Sequence, residues 1–108
     1  MLPLLLNAVH GLRLNLEDVA RLTAYNPARL FGVAKKGYIA AGYDADLVVV
    51  DMESERIVDK EKLYSKCHWS PFEGWKLKGW PVMTFVGGEV VMREGEIVGE
   101  VYGREIKF

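Results

Sequence analysis

The sequence predicts an α+β fold, with N-terminal helices followed by a small β-sheet or half β-sandwich. Three observations carry the prediction. Apolar residues recur at helical spacing through the first third, the run Leu47-Val48-Val49-Val50 opens a β-branched region, and Gly87-Gly88 and Glu94-Gly95 punctuate the tail as tight turns. The change of period divides the chain into a helical segment, 1–34, and a β domain, 35–108. With 108 residues the chain is one small domain or a piece of a larger one, far below the roughly 250 residues of a complete eight-stranded α/β barrel.

Leu2, Leu5, Leu6 and Val9 form the first helical stripe, and Gly11 is expected to close it in the left-handed conformation. Leu4 and Leu12 widen the apolar surface beyond one stripe, so this helix expects neighbours on more than one side. Asn15 is the expected N-cap of a second helix, with Asp18 in the capping-box position and Leu16, Val19, Ala20 and Leu22 on the inner face. That helix should end near Tyr25. Asn26-Pro27 then repeats the start signal, giving a third helical piece of about one turn before Gly32.

Signals of β structure begin at Lys35. Lys36-Gly37 and Ala41-Gly42 punctuate a short segment around Tyr38-Ile39, and the uninterrupted run Leu47–Val50 predicts a strand buried on both faces. Residues 52–66 fit a short strand followed by a turn or one-turn helix. Pro81–Val86 and Glu89–Arg93 flank Gly87-Gly88 as a hairpin, and Glu94-Gly95 returns Glu96-Ile97-Val98 as a last short strand. These strands are too few to close on themselves.

Composition excludes several partners. Fourteen Lys and Arg against fifteen Asp and Glu leave a formal charge of −1, with no basic cluster to track phosphates or an anionic bilayer, so neither nucleic acid nor membrane is expected as a partner. Cys67 is the only cysteine, which rules out an intrachain disulfide and a multi-thiolate zinc cluster. The opening apolar run has no basic residue before it and is interrupted by Asn7 and His10, unlike a signal peptide, so a reducing, cytoplasmic setting is expected. The absence of Gln, with three Asn against eight Lys and ten Glu, leans towards a heat-adapted source.

Each chemically suggestive group carries a competing structural reading. His10 at a helix end is a ligand or a capping residue, and no second His lies one turn away. Cys67-His68 is a nucleophile–base pair only if the fold turns two adjacent side chains together. Asp44 and Asp46 are paired carboxylates for acid–base or cation chemistry, or else a turn acceptor and a strand entrance. Trp69, Phe72, Trp75 and Trp80 form a stacking platform or anchor a rigid Pro/Gly loop, and the missing basic groove favours anchoring.

The order of these landmarks resembles the C-terminal part of the amidohydrolase superfamily. The resemblance rests on Glu17-Asp18-Val19-Ala20, Asn26-Pro27-Ala28-Arg29-Leu30-Phe31-Gly32, Lys36-Gly37-Tyr38-Ile39 and the stretch from Gly42-Tyr43-Asp44-Ala45-Asp46 to Asp51. The stretch from Ser70-Pro71-Phe72-Glu73-Gly74-Trp75 to Pro81, followed by Gly88-Glu89-Val90-Val91, is similar to dihydroorotases, which in turn resemble allantoinases and hydantoinases. The resemblance implies that residues 1–34 are the end of a TIM barrel and 35–108 part of a sandwich built from both chain ends. It covers nearly the whole chain but only the last quarter or so of the family's length.

The family's zinc site uses an H-x-H pair, a carboxylated lysine, two further histidines and an aspartate, with a metal-bound hydroxide attacking a ring amide. None of those motifs occurs here, and His10 and His68 do not match the ligand positions. No catalytic, cofactor-binding or metal residue is therefore assigned; zinc is expected in the full-length parent, not in this chain. The expectation is an inactive C-terminal fragment of a dihydroorotase-like enzyme, partnered by itself as a homo-oligomer or by a barrel-containing fragment. The alternatives are a stand-alone interaction module and the tail of an allantoinase or hydantoinase.

Overall fold

The computed structural model describes residues 1–100 and 103–108. Helix α1, Leu2–His10, has Pro3 in its first turn, where the missing N–H costs nothing. Its end differs from the expectation: Gly11 has φ −76°, and the left-handed residue is Leu12 at φ 57°. Leu12 N–H donates to the Val9 carbonyl and Arg13 N–H to Ala8, a Schellman closure one residue beyond the glycine.

Helix α2, Leu16–Ala20, starts on the expected capping box. The Asn15 side chain accepts from Asp18 N–H at 2.7 Å, and the Asp18 carboxylate accepts from Asn15 N–H at 3.3 Å. The predicted break at Asn26 is absent. A π-helical turn, Arg21–Tyr25, carries the chain directly into α3, Asn26–Leu30, and Asn26 is helical, its N–H donating five residues back to the Arg21 carbonyl. Pro27 cannot extend a regular ladder, and the wider turn before it shifts the hydrogen-bond register instead of ending the rod. Gly32, at φ 66°, closes α3 as expected.

The β structure starts later than expected, because residues 31–46 form turns and irregular backbone with no strand. Among the described residues four strands follow: β1 Leu47–Ile57, β2 Lys76–Val86, β3 Glu89–Arg93 and β4 Glu96–Ile97, with a single turn of 3₁₀ helix at Lys60–Lys62. They make one antiparallel meander in the order β1-β2-β3-β4. Both predicted turns are present, and Gly87, Gly88, Glu94 and Gly95 all have positive φ, as the right-handed twist of a tight hairpin requires.

Three strand expectations are corrected. The short strand predicted after residue 52 is the continuation of β1, and β2 begins at Lys76, ahead of the predicted start at Pro81. The run Leu47–Val50 is not buried on both faces: Val48 and Val49 are each about half exposed (48% and 47%), because β1 is an edge strand and helix α1 lies against β2.

The joint between α1 and the sheet is built on a β-bulge. Asp51 pairs with Trp80 and Glu55 with Lys78, so residues 52–54 bulge opposite Gly79. Asp51 Oδ1 accepts from Glu53 N–H at 3.0 Å and Ser54 N–H at 3.2 Å, holding the bulge open. Helix α1 takes up the groups this exposes. Asn7 Oδ1 accepts from Lys78 N–H at 3.0 Å, and His10 Nε2 donates to the Met52 carbonyl at 2.6 Å. Leu6, buried, is packed onto Gly79. No helix among the described residues is long and apolar enough to cross a membrane.

Candidate functional site

The titratable candidates resolve into structural roles. His10 is engaged with the Met52 carbonyl. The Cys67 thiol contacts Ser65 Oγ at 3.5 Å and the Trp69 carbonyl at 3.6 Å, while His68, at φ 53°, is not its partner, so no nucleophile–base pair forms. Asp44 and Asp46 do converge, on Lys36: Nζ lies 3.0 Å from Asp44 Oδ2 and is also paired with Asp46 Oδ2. Asp46 Oδ1 accepts from Gly87 N–H at 2.9 Å, and the Ala45 carbonyl from Gly88 N–H at 3.0 Å. The pair thus ties the irregular stretch to the β2–β3 turn. Lys36, then the Gly87 N–H, hold the Asp46 carboxyl below its ordinary value, and Asp46 followed by Asp44 raises Lys36.

The aromatic residues separate. Phe72 and Trp75 meet edge to face at 5.1 Å, whereas Trp80, in β2, donates Nε1–H to the Leu77 carbonyl at 2.8 Å and lies under the Arg56 guanidinium. Trp69 makes no ring contact among the described residues and is 63% exposed. It stands on the wall of an open cleft of about 560 Å³ between α1 and residues 63–72, lined by Met1, Leu4, Leu63, Pro71 and Phe72 with Ser65, Cys67 and Ser70.

A second group escapes sequence reasoning. Tyr25, Tyr38 and Tyr43 meet in series, tilted at 5.9 Å and edge to face at 6.0 Å, and Arg29 Nη1 donates to the Tyr25 hydroxyl at 2.9 Å. Their spacing has no helical or strand period; the only advance signal is Gly37 beside them. That glycine is so close to α3 that a Cβ would fall 2.7 Å from Ala28 Cβ.

Zinc does not fit these residues: among the described residues no three His, Cys, Asp or Glu side chains come together. The dominant property is uncovered apolar surface. Among the described residues the buried hydrophobics are Leu6, Val19, Leu77 and Val91, while Leu16, Leu22, Phe31, Val48 and Trp69 stand among the exposed ones. The accessible surface is 8355 Å², against about 6,000 Å² for a compact monomer of 12.2 kDa. The excess, roughly 2,300 Å², is on the scale of a large protein–protein interface.

Residues 2–91 match the amidohydrolase family. The chain is 43% identical over 104 residues to a dihydroorotase from Pyrococcus furiosus, covering 96% of this chain and 25% of that protein. It is 45% identical over 106 residues to one from Methanothermobacter thermautotrophicus, covering 98% and 24%. Among solved structures, an L-hydantoinase from Arthrobacter aurescens superposes with a TM-score of 0.87 at 40% identity, covering 92% of this chain and 22% of that one. A D-hydantoinase from Thermus sp. superposes at 0.74 with 31% identity, covering 88% and 22%. The chain thus spans about a quarter of the length of these relatives.

Proposed function

The chain belongs to the amidohydrolase family, and from that premise we propose that it serves as the C-terminal portion of a dihydroorotase-type cyclic amidohydrolase. The whole enzyme would open dihydroorotate with water to N-carbamoyl-aspartate. The observation that carries the reading is the identity of 43–45% to archaeal dihydroorotases across nearly this whole chain. Its own residues supply structure: α1 locked to the sheet through Asn7 and His10, and an apolar surface for a larger body to cover. Metal and proton-transfer groups would come from barrel residues outside this sequence, so the chain alone turns over no substrate.

The test is a chimera in which this chain replaces the C-terminal quarter of the Pyrococcus furiosus dihydroorotase. Dihydroorotate hydrolysis by the chimera, with none by the chain alone, is the expected result. Zinc-dependent hydrolysis by the isolated chain overturns it. The superposition on an L-hydantoinase favours a second reading, in which the whole enzyme opens a hydantoin ring; substrate choice then lies in barrel loops.

A further inference from the structure

We propose that the pocket between α3 and the irregular stretch after it binds a phosphate ester of a small planar ring compound, with Arg29 and Lys35 on the phosphate and tyrosines against the ring. The pocket shares no residue with the cleft beside α1. Its volume is about 210 Å³, and its walls include Tyr25, Arg29, Lys35, Lys36, Tyr38 and Tyr43. That is below the roughly 300–1,000 Å³ of a drug-sized site, which limits the occupant to about one ring and one charged group.

The walls select the charge. Arg29 lies six residues before Lys35 in the chain, the fold brings both to one pocket with Lys36, and no acidic side chain lines it. Lys36 is held by Asp44 and Asp46. Arg29 and Lys35 are not so held: among the described residues neither is paired with a carboxylate. Arg29 Nη1 donates to the Tyr25 hydroxyl, and its guanidinium lies 5.5 Å from the centre of that ring. The hydroxyl, an acceptor there, keeps its own proton to donate. One guanidinium fork satisfies a monocarboxylate; a second cation and a hydroxyl match the further oxygens and the double charge of a phosphomonoester.

The backbone is shaped to hold these groups. Tyr25 ends the π turn and Arg29 follows one helical turn later in α3, so the π turn sets the direction of both. Lys35 is held at φ 61°, a conformation that glycine takes without strain and lysine does not, and the Asp44 N–H donates to its carbonyl at 2.8 Å. Gly37 presses the same stretch onto the helical rod, where a Cβ would fall 2.6 Å from the Ala24 carbonyl oxygen. Backbone strain held in place beside unpaired cations is the pattern of a ligand clamp. Tyr38 and Tyr43 supply the ring surface: they meet edge to face, which leaves ring faces open, and Tyr38 is 59% exposed.

The test titrates the chain with phenyl phosphate, inorganic phosphate and benzoate at about 0.15 M salt, which screens loose surface attraction. Calorimetry reads affinity and amide NMR shifts read location. We expect phenyl phosphate to bind with a Kd below about 1 mM, at least about fivefold tighter than the other two, with the largest shifts in residues 25–43. Arg29→Gln should weaken it about fivefold or more, and Tyr38→Leu should bring it down to the level of inorganic phosphate. Lys35→Gly separates binding from folding, since it should weaken phenyl phosphate by a similar factor while raising the thermal midpoint. Lys62→Gln, on the 3₁₀ turn, should change nothing. No saturation by phenyl phosphate up to about 10 mM, or shifts centred elsewhere, overturns the inference. So does an equal loss in Lys62→Gln and Lys35→Gly, which would make the attraction a general one. Benzoate binding as tightly as phenyl phosphate would make the occupant a carboxylate, and inorganic phosphate doing so would make it a bare anion; either result also overturns it.

Discussion

Leu6 occupies the space in which Gly79 would carry a side chain: a methyl group on Gly79 would lie 2.7 Å from Leu6 Cβ. Gly79 also has φ 101°, a conformation that side chains resist, so two independent penalties meet at one position. Gly79→Ala should destabilise the chain by about 2–4 kcal/mol, as a lower urea midpoint. A change below about 0.5 kcal/mol would show that α1 is not seated on β2.

Asn7 should act through a backbone group. Removing its amide with Asn7→Ala leaves the Lys78 N–H at the bulge without its acceptor, at a cost of about 1–2 kcal/mol. The check is hydrogen exchange, in which Lys78 N–H should lose protection more than its neighbours in β2.

Leu12 carries backbone strain in the open, being 93% exposed at φ 57°. Leu12→Gly should therefore stabilise by about 1 kcal/mol, visible as a rise in thermal midpoint, because it removes the left-handed penalty and sacrifices no packing. An unchanged or lower midpoint would contradict the Schellman closure.

Acid should loosen the Lys36 latch. Asp46 has a folded value below the ordinary one, so its contribution is complete above about pH 4 and is lost as pH falls through the lowered value. Lys36 is raised, so its contribution is complete below the ordinary lysine range and is lost only as pH climbs through the raised value. Asp46→Asn should lower stability at pH 6, and the gap to wild type should shrink as pH is taken down towards 2. Denaturation midpoints across that range decide it; a gap independent of pH would rule out the charge pairing.

Features coded by neighbours in sequence were legible. The Asn15 cap, the Gly87-Gly88 hairpin and the Gly32 closure each depend on a few consecutive residues whose backbone preferences decide the outcome. Features that depend on what lies across the fold were not. The exposure of Val48 and Val49 is set by which strand ends the sheet, and their β-branched pattern carries no record of that. Asn7 and His10 look like interruptions of an apolar run; their use appears only once the bulge opposite Gly79 is known. The paired aspartates were legible as a turn acceptor, but Lys36 as their shared partner was not.

The π turn has a consequence for helical phase. Val19 and Leu30 are eleven residues apart, close to three whole turns of a regular helix, which would set them on one side of the rod. Yet Val19 is 4% exposed and Leu30 79%. The wide turn at Arg21–Tyr25 acts as one inserted residue and slips everything after it by about 100°. Deleting one residue from that turn would rotate Leu30 and Phe31 back towards the side of Val19, changing which surface the helical rod presents without altering a single residue on it.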